Sequence, residues 1–252
     1  MCAAEEMERT WRVGLDIPVR WAGAATGIGV SALVPFSPES DVDLLYGVGV
    51  FGLCAMAGVF AADVIARPSP GGLRTAAITP RRIRDYLPRS LAAVLATQAV
   101  VLLGLLITAA MLAVPDAAGR SGRAVSATCP AGTRLLSPWP GPYYAGPILG
   151  GLALGMVACA LLLRRVTAWS WSDDHRRMTV RSAVGAFGVL VSTPLFAVSV
   201  TMGAVVLSLS CADGWRNVAL CGLAVTAVVS AMTACHCLNV LLLPQVYLKA
   251  RP

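Results

Sequence analysis

Residues 91–114 read LAAVLATQAVVLLGLLITAAMLAV, 24 positions without an Asp, Glu, Lys or Arg. An α-helix rises 1.5 Å per residue, so crossing roughly 30 Å of hydrocarbon takes about 20 apolar residues. A run of this length and composition predicts a transmembrane helix. Outward from it lie four further apolar runs, Leu44 to Ala66, Tyr144 to Leu163, Ala183 to Leu209 and Val218 to Leu243. A sixth, Trp21 to Phe36, has only 16 residues and spans only if Ile17 to Arg20 join it, with the Arg20 head snorkelling to the interface. The expectation is an all-α, polytopic transmembrane helix bundle. It forms a single integral membrane domain over residues 1–252, with spans at about 17–36, 44–66, 91–114, 144–163, 183–209 and 218–243.

The whole chain agrees with that stretch. Of 252 residues, 57% are hydrophobic and 13% charged, against about 25% charged in a soluble domain. Mean hydropathy is +0.72. These values exclude a water-soluble globular fold, a disordered chain and a collagen-like one. The basic residues are 19 Arg and the single Lys249, which with abundant Ala, Gly and Val reflects a GC-rich genome. The expected site is a bacterial cytoplasmic membrane, crossed several times, with the lipid bilayer as the first partner.

The net charge of +7 would suit nucleic acid, but membrane topology accounts for it, and no direct nucleic-acid partner is expected. Basic loops are retained on the cytoplasmic side. With six spans and the N-terminus inside, 16 of the 20 basic residues fall in inner segments. Only Arg120, Arg123, Arg134 and Arg216 fall outside. Both termini are therefore expected in the cytoplasm. The first 20 residues lack the apolar stretch of a secretory signal, so no cleavage is expected.

Chemistry-bearing motifs are sparse. Glu5-Glu6-Met7-Glu8-Arg9 approaches the paired-glutamate motif of membrane CAAX-type proteases, but its spacing is one residue short and no later His-bearing helix completes a site. There is no HExxH, no GxSG with a partner His and no CxxC. Cys235-His236-Cys237 resembles a metal box, yet on a helix positions i and i+2 point about 200° apart, so the thiols face opposite sides. The glycine-rich Tyr46 to Gly52 segment has neither the order of a channel filter nor a preceding strand, which leaves close packing as its role. No enzyme activity, metal or cofactor is expected.

Within the spans the one acid is Asp63, with Arg67 four residues on, which predicts an interfacial ion pair. Small residues recur at packing intervals: Cys54, Gly58 and Ala62; Gly151 and Gly155; Gly185, Gly188, Ser192, Ser199 and Gly203; Gly222, Thr226, Ser230 and Thr233. Pro194 predicts a kink, with Ser192 or Thr193 serving the freed carbonyls. Cys129 and Cys211 fall in two different outer loops, where an oxidising envelope permits a disulfide between them.

Two loops carry more pattern. On the inner side, Thr79 is a fitting N-cap with Pro80 at N1. Ile83, Tyr86 and Leu87 then share one face, while Arg81, Arg82 and Arg84 take the other. This short basic amphipathic helix is a docking candidate for a cytoplasmic protein, beside its plain role as a topogenic charge cluster. On the outer side, Ser137 to Tyr144 holds three aromatics and three prolines. Headgroup anchoring accounts for Trp139, Tyr143 and Tyr144, as for Trp169 and Trp171 on the inner side.

The stretch Thr79-Pro80-Arg81-Arg82-Ile83-Arg84-Asp85-Tyr86-Leu87-Pro88, with Cys129-Pro130, Ser137-Pro138-Trp139-Pro140-Gly141 and Tyr143-Tyr144, resembles uncharacterised multi-span integral membrane proteins of high-GC actinobacteria. That resemblance implies a topology and a compartment, and carries no activity or site. The expected role is a non-enzymatic membrane protein docking a cytoplasmic partner through basic inner loops. The alternative is the permease subunit of an ABC-type exporter with a separate ATPase, since the chain has no Walker A sequence.

Overall fold

The computed structural model describes residues 16–33, 43–65, 89–117, 119, 121–129, 132–168, 173–209 and 214–243. Among the described residues, six helices carry the fold: α1 (Asp16–Leu33), α2 (Asp43–Ile65), α3 (Arg89–Leu112), α4 (Pro142–Ala168), α5 (Asp173–Ser208) and α6 (Trp215–Leu242). Five of them, α2 to α6, are long and apolar enough to cross a membrane. The first helix, with 18 residues, falls short of the other five in apolar length. The apolar run that opens at Ala183 belongs to a much longer helix, because α5 begins at Asp173 and carries Arg176, Arg177 and Arg181 in its first turns.

The described residues are helical apart from loops and one small sheet that the sequence reading leaves as an outer loop. Helix α3 runs directly into β1 (Ala113–Val114), which pairs antiparallel with β2 (Ala124–Cys129). β2 in turn pairs with β3 (Gly132–Leu136). Along β2, Val125 and Ala127 are partly covered while Ser126 and Thr128 are exposed, the two-residue alternation of a half-buried strand. Gly119, Gly122 and Gly132 take positive φ, a conformation that costs glycine nothing. Gly141 has no room for a Cβ, which would collide with the Gly122 carbonyl. That contact seats the sheet on the start of α4, where Pro142 is the first helical residue and its missing N–H costs nothing.

Helix α5 is the hub. In its most apolar window 67% of residues are buried, against 11% for α6. It packs on α2, α3, α4 and α6, and the others ring it in the order α6, α1, α2, α4, α3. Small residues make the close approaches. Leu190 of α5 sits in a notch formed by Gly52 of α2 and Gly155 of α4, and Gly188 faces the Cys237 thiol of α6. Gly185 lies against the Cys237 carbonyl. Two of the expected small positions do not serve this way: nothing lies near Gly203 or Gly222.

Candidate functional site

At one end of the bundle, polar and charged groups are buried together. Leu162 of α4, Val59 of α2 and Ala183 and Ala186 of α5 share one apolar cluster. Within a turn of it lie Arg165, Asp63 and Ser182. The Asp63 carboxylate is 3% exposed and pairs with Arg165 Nε at 3.3 Å. The Arg165 guanidinium also stacks over the Phe60 ring, 5.2 Å from its centroid. Arg67, the partner expected for Asp63, lies outside the described residues. Asp63 is thus held across a helix interface by Arg165.

Arg20 departs from its expectation. Its head does not snorkel: the side chain is 2% exposed and donates from a guanidinium nitrogen to the Ser182 hydroxyl of α5. Helix α1 reaches this position because it lies antiparallel along α2, with Gly23 on Gly58, Gly27 on Phe51 and Cys54, and Ser31 donating to the Gly47 carbonyl at 2.7 Å. Thr179, one turn before Ser182, is also buried. Two guanidiniums, one carboxylate and two hydroxyls are therefore tucked into the joint of α1, α2, α4 and α5. This set orients helix ends and presents positive charge.

A second polar group lies mid-bundle. The Gln98 amide of α3 donates to Thr233 Oγ1 of α6 at 2.8 Å, and its carbonyl oxygen accepts from the Ser192 hydroxyl of α5 at 2.8 Å. Thr233 passes its own proton to the Val229 carbonyl. Of the two hydroxyls expected to serve the Pro194 site, only Thr193 turns back, donating to the Val189 carbonyl at 2.7 Å. That is one residue before Leu190, whose carbonyl Pro194 leaves without its usual donor. Ser192 is committed to Gln98. The sequence reading missed Gln98, although it is the only side-chain amide in the apolar run of residues 91–114.

The opposite end is closed by the sheet. Trp139 is buried and donates from its indole nitrogen to the Ala109 carbonyl at 2.8 Å, so it is a plug in the fold rather than a headgroup anchor. Tyr144 is buried too, while Tyr143 is exposed. Their rings meet edge to face with centroids 4.9 Å apart, and Tyr46 of α2 completes the trio. The buried Arg123 guanidinium lies 4.9 Å from the Tyr143 centroid and 5.6 Å from that of Tyr144. Trp169 and Trp171 lie outside the described residues.

The remaining candidates separate. Cys237 is buried and Cys235 exposed, the opposed orientation that their spacing demands. Cys129 ends β2, with its side chain outside the description, and Cys211 lies outside the described residues, as does the docking candidate Arg81, Arg82, Ile83, Arg84, Tyr86 and Leu87. No family model, curated protein or solved structure matches the chain.

Proposed function

We propose that the chain is a six-span protein of a bacterial cytoplasmic membrane, with both termini in the cytoplasm, that docks a cytoplasmic protein through its basic loops and carries no catalytic activity. The observation that supports it most is the sorting of charge between the two ends. Among the described residues, Arg20, Arg89, Arg164, Arg165, Arg176, Arg177 and Arg181 gather at the end opposite the sheet, and Arg123, Arg134 and Arg216 at the sheet end. Basic residues mark the cytoplasmic side. The packing of α1 on α2, with Arg20 bonded to α5, favours counting α1 as a sixth span and so favours termini on the same side.

Reporter fusions test the topology: those after Arg89, Arg177 and Pro252 read cytoplasmic, and those after Asp116 and Asp213 read external. An external signal at Pro252 defeats it. Docking is tested by mild detergent extraction of the parent and of Arg81→Lys/Arg82→Lys/Arg84→Lys, because guanidinium forks that grip carboxylates are poorly replaced by ammonium. Loss of a co-purifying cytoplasmic protein supports docking; no partner in the parent overturns it. A co-purifying ATPase replaces it with the permease reading.

A further inference from the structure

Helix α6 turns a seam away from the bundle along nearly its whole length. Val218, Val225, Val229 and Met232 are 74%, 62%, 47% and 68% exposed, and with the exposed Gly222 they recur in alternating steps of four and three. His236 and Asn239, exposed as well, continue the series. That spacing keeps one face on a partner helix over many turns. At Gly222 nothing lies within 4 Å of an added Cβ, so a second backbone can approach closely. The basic end of the seam selects its occupant. Gly185 of α5 lies against the Cys237 carbonyl and the Leu241 nitrogen, which sets Asn239 level with Gly185. That is three residues, about 4.5 Å, to the apolar side of the bond from Arg20 to Ser182. Among the described residues the Asn239 side-chain amide has no partner, and an acyl chain offers it none. The exposed face of α3 makes no such demand, because its Thr97 and Thr108 hydroxyls donate to carbonyls of their own helix.

We propose that two copies of the chain pair in the membrane as a parallel dimer along the α6 seam, closest at Gly222 and hydrogen-bonded between their Asn239 amides. An amide both donates and accepts, so it is complementary to a copy of itself. All copies insert in one orientation, so a two-fold axis along the membrane normal sets the two α6 helices parallel and brings each seam residue to its own counterpart. The seam exposes roughly 600 Å² per copy, so pairing covers about 1,200 Å², the lower bound of specific interfaces. The dimer rests on the reading that α6 crosses the membrane.

The test is energy transfer in phosphatidylcholine liposomes between full chains fused after Pro252 to a donor or an acceptor fluorescent protein, followed as lipid dilutes the protein. Transfer is expected to exceed that of random collision and to fall with dilution. Gly222→Ile and Gly104→Ile each add a side chain where the single chain has open space, so neither disturbs its folding; only Gly222→Ile, on the seam, should abolish transfer. Asn239→Leu should lower the association constant roughly three-fold or more, the average worth of one interhelical hydrogen bond. In native membranes a photoreactive benzoylphenylalanine in place of Val228, beside the seam, should crosslink a second copy, and one in place of Leu154 on α4 should not. Transfer at the collision level at every dilution, equal loss from the two glycine variants, indifference to both Gly222→Ile and Asn239→Leu, or crosslinking from position 228 to a different protein would overturn the dimer. Reporter fusions after Asp213 and Pro252 read the span itself: signals on one side remove the premise, whereas signals on opposite sides with no transfer overturn the dimer alone.

Discussion

Gly23 of α1 and Gly58 of α2 touch backbone to backbone: a Cβ on Gly23 would lie 2.6 Å from the Gly58 Cα. The contact lets α1, the least apolar-rich of the helices in length, lie flat on α2 and carry Arg20 to Ser182. Replacing Gly58 with Val forces the pair apart, since the atoms it meets are backbone. We expect a loss of about 1–3 kcal/mol, the usual cost of overpacking, in a detergent unfolding titration. Gly29→Ala, where nothing lies near the added methyl, should be silent.

Asp63 and Arg165 should behave as a unit. Removing one partner leaves a buried charge uncompensated, at about 3–5 kcal/mol for a fully buried pair. Arg165 is 28% exposed, so the lower part of that range applies. Asp63→Asn and Arg165→Gln should each destabilise, and the double variant should recover much of the loss in a double-mutant cycle. Simple additivity would show that the pair contributes nothing.

Gln98→Leu removes two hydrogen bonds and strands the Ser192 hydroxyl. Interhelical bonds of this kind average about 0.6 kcal/mol and reach about 1.7. The expected loss is therefore about 1–3 kcal/mol, with Gln98→Leu/Ser192→Ala closer to the parent than Gln98→Leu alone. Thermal unfolding in one detergent checks the order.

At the sheet end, Trp139→Phe keeps an aromatic ring, though a smaller one, and leaves the Ala109 carbonyl without its donor, an expected cost of about 1–3 kcal/mol. Arg123→Lys keeps the charge but loses the planar stack on Tyr143 and Tyr144. Faster protease cleavage between Ala113 and Pro142 in either variant would report the loosened cap.

The helices were legible because their residues obey one rule each. Residues 91–114 can only be long and apolar, and Cys54, Gly58 and Ala62 can only be a close-packing face; Gly58 and Ala62 are buried in that face. What escaped was pairing across distance. Arg20 looks like an interfacial residue until Ser182 is brought beside it from 162 positions away. Trp139 looks like a headgroup anchor until the turn between β3 and α4 delivers it to Ala109. The alternation of Val125, Ser126, Ala127 and Thr128 was a signal for β2, muted by its brevity and by the prolines that follow.

The hub position of α5 bears on the order in which the bundle is built. A chain made from its N-terminus at about 5–20 residues per second inserts Gln98 long before Ser192, 94 residues later, exists to bond it. That interval is on the order of 5–20 s, and for Arg20 and Ser182 roughly 8–30 s. For that time an arginine and an amide wait in or beside lipid without the partners they have in the finished bundle. The first four helices are thus synthesised as an unfinished ring around a vacancy. Their polar groups need borrowed company, from water, headgroups or the insertion machinery, until the fifth helix arrives.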